Sequence, residues 1–243
     1  MKIIGILALA IVLLWLWNLG VFTYLMPSVI AKEKLSKEYG GVYVFYPEFR
    51  EEIKKREKER KEEDDKLFAI VNEKARKKMK EKYGFTDEDI QKLNTPQSDY
   101  FKQKQYDEVW NKFYRQIYAG FEEKYPQTLS NGCKYHNKAF GPYREYFEPY
   151  YEKIKEFVGE EVYKKLKPSL RTTSFYECGD GKKVMITIYT EFLDVYTQYG
   201  LFGDTGKGIR LTNNVLIEIG GSNTFELKDG KFEKTQEIAR DFL

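Results

Sequence analysis

Cys133, His136 and Cys178 are the residues whose types best suit chemistry, since thiols and an imidazole can ligate a metal or form a nucleophile and its base. Cys133-Lys134-Tyr135-His136 has a metal-like spacing, Cys178 adds a third ligand, and Asp180 is an imaginable acidic fourth. Three firm ligands fall one short of a closed zinc site. A spacing of three on a loop does not force thiol against imidazole, and no third group orients the pair. His136 is also the single histidine, which removes the commonest general base from almost every catalytic scheme. With two cysteines in all, an exported body favours a Cys133–Cys178 disulfide, whereas a cytoplasmic body favours two buried or free thiols. The bond would close a loop whose chain entropy is worth at most about 4 kcal/mol. The expectation is therefore no catalytic residue, no metal ligand and no cofactor.

Two other patterns invite chemistry. Gly203, Asp204, Gly206, Lys207 and Gly208 look like a phosphate loop, but Leu201 stands where its first glycine belongs and Gly208 replaces the magnesium-binding Ser/Thr. The segment also lies between strands and opens no helix toward a phosphate. It reads as a glycine-rich loop whose functional promise is a binding tip. Carboxylate pairs recur at Glu145/Glu148, Glu152/Glu156 and Glu191/Asp194. The first two read as solvated helix faces, and the third interrupts an apolar strand, where a bulge or strand end explains it as well.

The elements that would position these residues begin with an uncharged run, Ile3 to Met26. As one helix it spans roughly 36 Å against a hydrocarbon core of about 30 Å, so it reads as a transmembrane helix. The alternative is a signal peptide cut after Val29-Ile30-Ala31, for which the run is long. Lys32, Lys34 and Lys37 behind the run favour a cytoplasmic body. The export-signal layout and the cysteines favour an extracytoplasmic one, and that side is preferred.

Residues 42–46 read as a short extended piece. Lys54 to Lys66 is thirteen consecutive charged residues, expected as a solvent-bathed helical spacer or a disordered tether. Amphipathic helices follow. Leu67, Phe68, Val71, Ala75 and Met79 share one face, and Thr86 with Asp89 forms a capping box. Ser98 can cap the helix carrying Tyr106, Val109, Trp110, Phe113, Ile117 and Phe121. A loop over 126–141 precedes the helix of Phe147, Tyr151, Ile154 and Val158, where Pro149 marks a kink or restart. From Thr172 the period changes to two, giving strands over 172–177, 183–197, 214–219, 224–228 and 231–237.

The organisation expected is a membrane anchor or signal segment over 1–31, an extended piece and charged helical spacer over 32–66, and an α+β domain over 67–243. In that domain helices (67–167) pack on a C-terminal antiparallel β-meander (171–237). The order of elements and the closing hairpin at 224–232 resemble the cone-shaped NTF2-like folds over roughly 145–243. That resemblance implies an architecture only, because such folds host enzymes, ligand cups and assembly modules alike.

The 41 basic and 38 acidic side chains are interspersed, so no single-sign field exists to recruit nucleic acid. The functional expectation is a non-enzymatic, membrane-anchored protein of the cell envelope, held to the lipid bilayer through 3–26. It would sit in the inner membrane as a single-pass protein and present an interaction or assembly domain to a protein partner. The alternatives are a small-ligand binder with an aromatic pocket between sheet and helices, and a hydrolase using acidic residues.

Overall fold

The computed structural model describes residues 2–96, 98–138, 144–166, 168–204 and 208–235. The chain divides into two units, residues 1–50 with 133–243, and residues 51–132. The fold is mixed helices and a curled, mainly antiparallel sheet, as the change of period implied.

In the first unit the sheet is built around β4 (Lys183–Asp204). The inner half of β4 lies between β3 (Ser169–Glu177) and β1 (Gly41–Val44), so that Thr190 faces Leu170 on one side and Gly41 on the other. At Glu191 β1 gives way to β5 (Gly208–Gly220), which pairs with the outer half as far as Asp204↔Gly208. β1 also pairs in parallel with β6 (Asn223–Lys228), and β7 (Lys231–Thr235) follows by a hairpin. On the far edge β2 (Lys134–His136) pairs with β3. The extended piece at 42–46 is thus an interior strand. Val42, Tyr43 and Val44 are fully buried, which is why that strand reads as an unbroken apolar run. β2 lies inside the expected loop, too short to show a period, and β4 and β5 run well past the expected ends of their strands.

Helix α2 (Pro27–Tyr39) lies against β4 and β5, and α7 (Arg144–Val158) and α8 (Glu160–Leu166) pack at the other part of the sheet. The core is aromatic: the Tyr43 and Phe225 rings stack at 4.7 Å, and Phe45 meets Tyr150 edge-on at the same distance. Phe147, Ile154 and Val158 of α7 enter this core as their spacing predicts, and α7 runs on through Pro149 without a break.

The second unit comprises α3 (Pro47–Tyr83) from Glu51 onward, α4 (Asp87–Lys92), α5 (Tyr100–Ile117) and α6 (Phe121–Lys124). Val71, Ala75 and Met79 are fully buried, and the latter two cluster with Phe85, Leu93 and Tyr106, whereas Phe68 stays exposed. The Thr86/Asp89 capping box forms, but Asp99, not Ser98, caps α5 by accepting from the Phe101 and Lys102 amides. The charged run is helical within α3, yet it is not bathed on all sides. Arg60 pairs with Glu122 at 2.9 Å and also donates to the Tyr125 carbonyl, and the Tyr118 hydroxyl donates to Asp64 at 2.7 Å. An all-polar face docks here through ion pairs and aromatic hydroxyls, which apolar periodicity does not register.

The expected single helix over 3–26 does not form. Helix α1 (Lys2–Asn18) ends after 17 residues, about 25 Å. Gly20 then turns in a left-handed conformation (φ +74°), a 3-10 turn covers Thr23–Leu25, and Pro27 opens α2. Among the described residues no helix is long and apolar enough to cross a membrane.

Candidate functional site

The β2–β3 ladder, with Lys134 opposite Glu177, brings Cys133 and Cys178 face to face at a Cα–Cα distance of 4.6 Å, and they are joined as a disulfide. Both thiols are thereby removed from metal and nucleophilic chemistry. His136 stacks on Phe175 at 4.7 Å; burial, then the charges of Lys138 and Lys134, hold its imidazole below the ordinary value. Among the described residues no three His, Cys, Asp or Glu side chains cluster as metal ligands.

Glu191 and Asp194, three apart on an extended strand, leave opposite faces of the sheet. Glu191 lies 3.9 Å from Arg171 and Asp194 lies 3.3 Å from Lys32, so the two carboxylates serve separate ion pairs and do not converge. Burial pushes the Asp194 carboxyl up, but the Val195 amide, the Ser28 hydroxyl and Lys32 outweigh it and hold the group below the ordinary range. Glu152 pairs with Lys155 at 3.6 Å on α7. Of the glycine-rich loop, Gly203 and Gly208 lie at the end of the β4–β5 hairpin, whereas Gly206, Lys207 and the Asp204 side chain lie outside the described residues.

A concave feature lies where α7, α8 and β3 meet. Phe147 and Tyr151 of α7, Tyr163 of α8 and Leu170 of β3 floor a groove of about 480 Å³, with Glu148, Glu152, Lys155 and Lys164 at its margin. Burial lifts the Tyr163 phenol to about 12, so it stays a neutral donor.

A long exposed apolar surface lies at the amino terminus. Every residue from Ile3 to Trp15 is exposed and none is charged. The last turn of α1 is tied to the outer half of β4. Trp17 Nε1 donates to the Thr197 carbonyl (3.1 Å), Asn18 Nδ2 donates to the Tyr199 carbonyl (2.7 Å), and the Tyr199 amide donates to Asn18 Oδ1 (2.8 Å). Gln198 donates to the Asn18 carbonyl at 2.7 Å, and Lys32 Nζ to the Leu193 carbonyl at 2.6 Å. Residues 193, 197 and 199 alternate along the edge of β4 that β5 does not use, so segment 17–32 satisfies an edge that would otherwise be open. Sequence reading missed this junction, whose only trace was a lone asparagine in an apolar run. No protein-family model, curated protein or solved structure matches the chain.

Proposed function

We propose that this is a non-enzymatic membrane-attached protein that uses α1 to hold its α+β unit and its charge-rich helical unit at a lipid surface, for a protein partner in the cell envelope. The observation that carries the reading is the thirteen-residue apolar helix exposed on every side. A protein groove covers one stripe of a helix, whereas an apolar solvent covers all of it. Retention of the segment is supported by its packing. Val29 is fully buried beside Phe192 and Ile219, so a cut after Ala31 would remove part of the core. The disulfide favours an oxidising compartment and hence the extracytoplasmic side.

The test is flotation of the intact chain with phosphatidylcholine/phosphatidylglycerol vesicles, beside a variant with Leu7→Lys and Val12→Lys. The intact chain is expected to float and the variant to stay at the bottom of the gradient. Equal behaviour of the two would remove the proposal.

A second reading is favoured by the tyrosine-floored groove, and by the resemblance in element order to NTF2-like cones, folds that include ligand cups. There the chain would take a small aromatic ligand between α7, α8 and β3. Saturable quenching of tyrosine emission by such a ligand, lost in Tyr151→Ala, would support it.

A further inference from the structure

Among the described residues β5 (Gly208–Gly220) pairs with β4 and with no other strand, so its far side is a sheet edge. The carbonyls of Leu193, Thr197 and Tyr199 accept from Lys32, Trp17 and Asn18, on the side of β4 that β5 does not use. The residues between them, Asp194, Tyr196 and Gln198, therefore turn their backbone toward β5, where they meet Ile217, Val215 and Asn213 in register. That leaves Thr212, Asn214, Leu216 and Glu218 with amides and carbonyls directed outward. The strand has neither the lysine nor the proline that commonly blunts an edge, and Ile209 and Leu211 are 80% and 71% exposed.

The composition of the edge selects its occupant. β5 carries two charges, Arg210 and Glu218, each four residues from Asn214. When this strand pairs antiparallel with a second copy of itself about a two-fold axis at Asn214, Arg210 of each copy stands opposite Glu218 of the other. The symmetric registers one step to either side set Arg210 against Leu216 or Gly220 instead. The other face of the strand matches in the same register. Ile209 falls opposite Ile219 of the second copy and Leu211 opposite Ile217, as non-hydrogen-bonded pairs, whose side chains approach most closely. Ile217 and Ile219 line an open groove of about 570 Å³ between α2 and β5, with Tyr24, Glu33 and Lys37 also in its wall. The two most exposed apolar side chains of β5 are thus brought to the groove beside α2 of the other copy.

We propose that the chain forms a two-fold dimer by pairing β5 with β5 of a second copy, in the register centred on Asn214. β4 and β5 of both copies then make one continuous sheet across the axis, a case of strand addition. The backbone edge supplies the attachment, the two Arg210–Glu218 pairs fix the register, and Ile209 and Leu211 leave water. The pairing uses neither α1 nor the second unit (residues 51–132), so it stands or falls separately from the membrane attachment.

The test uses the full-length chain in detergent micelles, with its native disulfide intact and one added cysteine. On the two-fold axis the two copies of residue 214 have Cα atoms about 5.5 Å apart, within disulfide reach, whereas the two copies of residue 212 stand four positions out of step. Under mild oxidant Asn214→Cys is expected to give a covalent dimer and Thr212→Cys alone to stay monomeric. A mixture of Thr212→Cys with Leu216→Cys should cross-link. In analytical ultracentrifugation Arg210→Glu should weaken dimerisation by about tenfold, and the exchange Arg210→Glu with Glu218→Arg should restore it. A wild type that stays monomeric throughout the micromolar range overturns the proposal, as does cross-linking at 212 as ready as at 214. A dimer whose affinity ignores both charge changes overturns it too. If a cysteine variant does not fold, the charge exchange decides.

Discussion

Asn18 ends a helix that its apolar neighbours would otherwise prolong. Its side-chain amide behaves as a piece of strand, giving one hydrogen bond to Tyr199 and taking one back. A neutral hydrogen bond nets about 1 kcal/mol. In Asn18→Leu the Tyr199 amide should therefore exchange with solvent about fivefold faster, as read by hydrogen–deuterium exchange, with the core amides of β1 unchanged. Unchanged exchange at Tyr199 would show that Asn18 does not hold this edge. Asp194 gives a pH signature. Its folded-state pKa is depressed below the ordinary 3.8, so its contribution to stability is whole above that value and drains away as pH falls through the depressed one. The wild type should lose stability in acid more steeply than Asp194→Asn in denaturant titrations below pH 4; parallel curves would contradict the assignment.

Among the elements, β2 depends most on one bond. Three residues make a marginal strand, and it is held at the sheet edge by the disulfide next to its first residue. The sequence separation of 45 puts the entropic stabilisation at up to about 4 kcal/mol. Cys133→Ser is expected to lower the unfolding free energy by about 2–4 kcal/mol and to open the Tyr135 amide to exchange first; a variant as stable as wild type would place the stability of β2 elsewhere. The Gly40-Gly41 and Gly220-Gly221 pairs have a related role. A Cβ at Gly41 would strike the Asn223 backbone and one at Gly221 would strike the Gly40 carbonyl. The glycines permit close backbone approach where β1 meets β6, and the Asn223 amide seals the spot by donating to the Gly40 and Lys37 carbonyls at 2.8 and 3.1 Å.

At the scale of the whole molecule, the longest charged run and the longest uncharged apolar run fall in different units. Lys54–Lys66 belongs to the second unit, and the exposed apolar residues of α1 and the hairpin end belong to the first. On intact cells carrying the full-length chain, a membrane-impermeant thiol reagent should label Cys133 and Cys178 only after reductant. Labelling confined to lysed cells would put the body on the cytoplasmic side.

The sequence by itself determined the α+β class, the faces of α5 and α7 and the capping box at Thr86, because each depends on short-range patterning. Only the tertiary structure decided that residues 42–44 form an interior strand parallel to β6, that Arg60 docks a charged face, and that the apolar run breaks at Asn18. Those outcomes depend on partners 60 to 180 residues away, and a local pattern holds no information about which distant backbone edge will be left open.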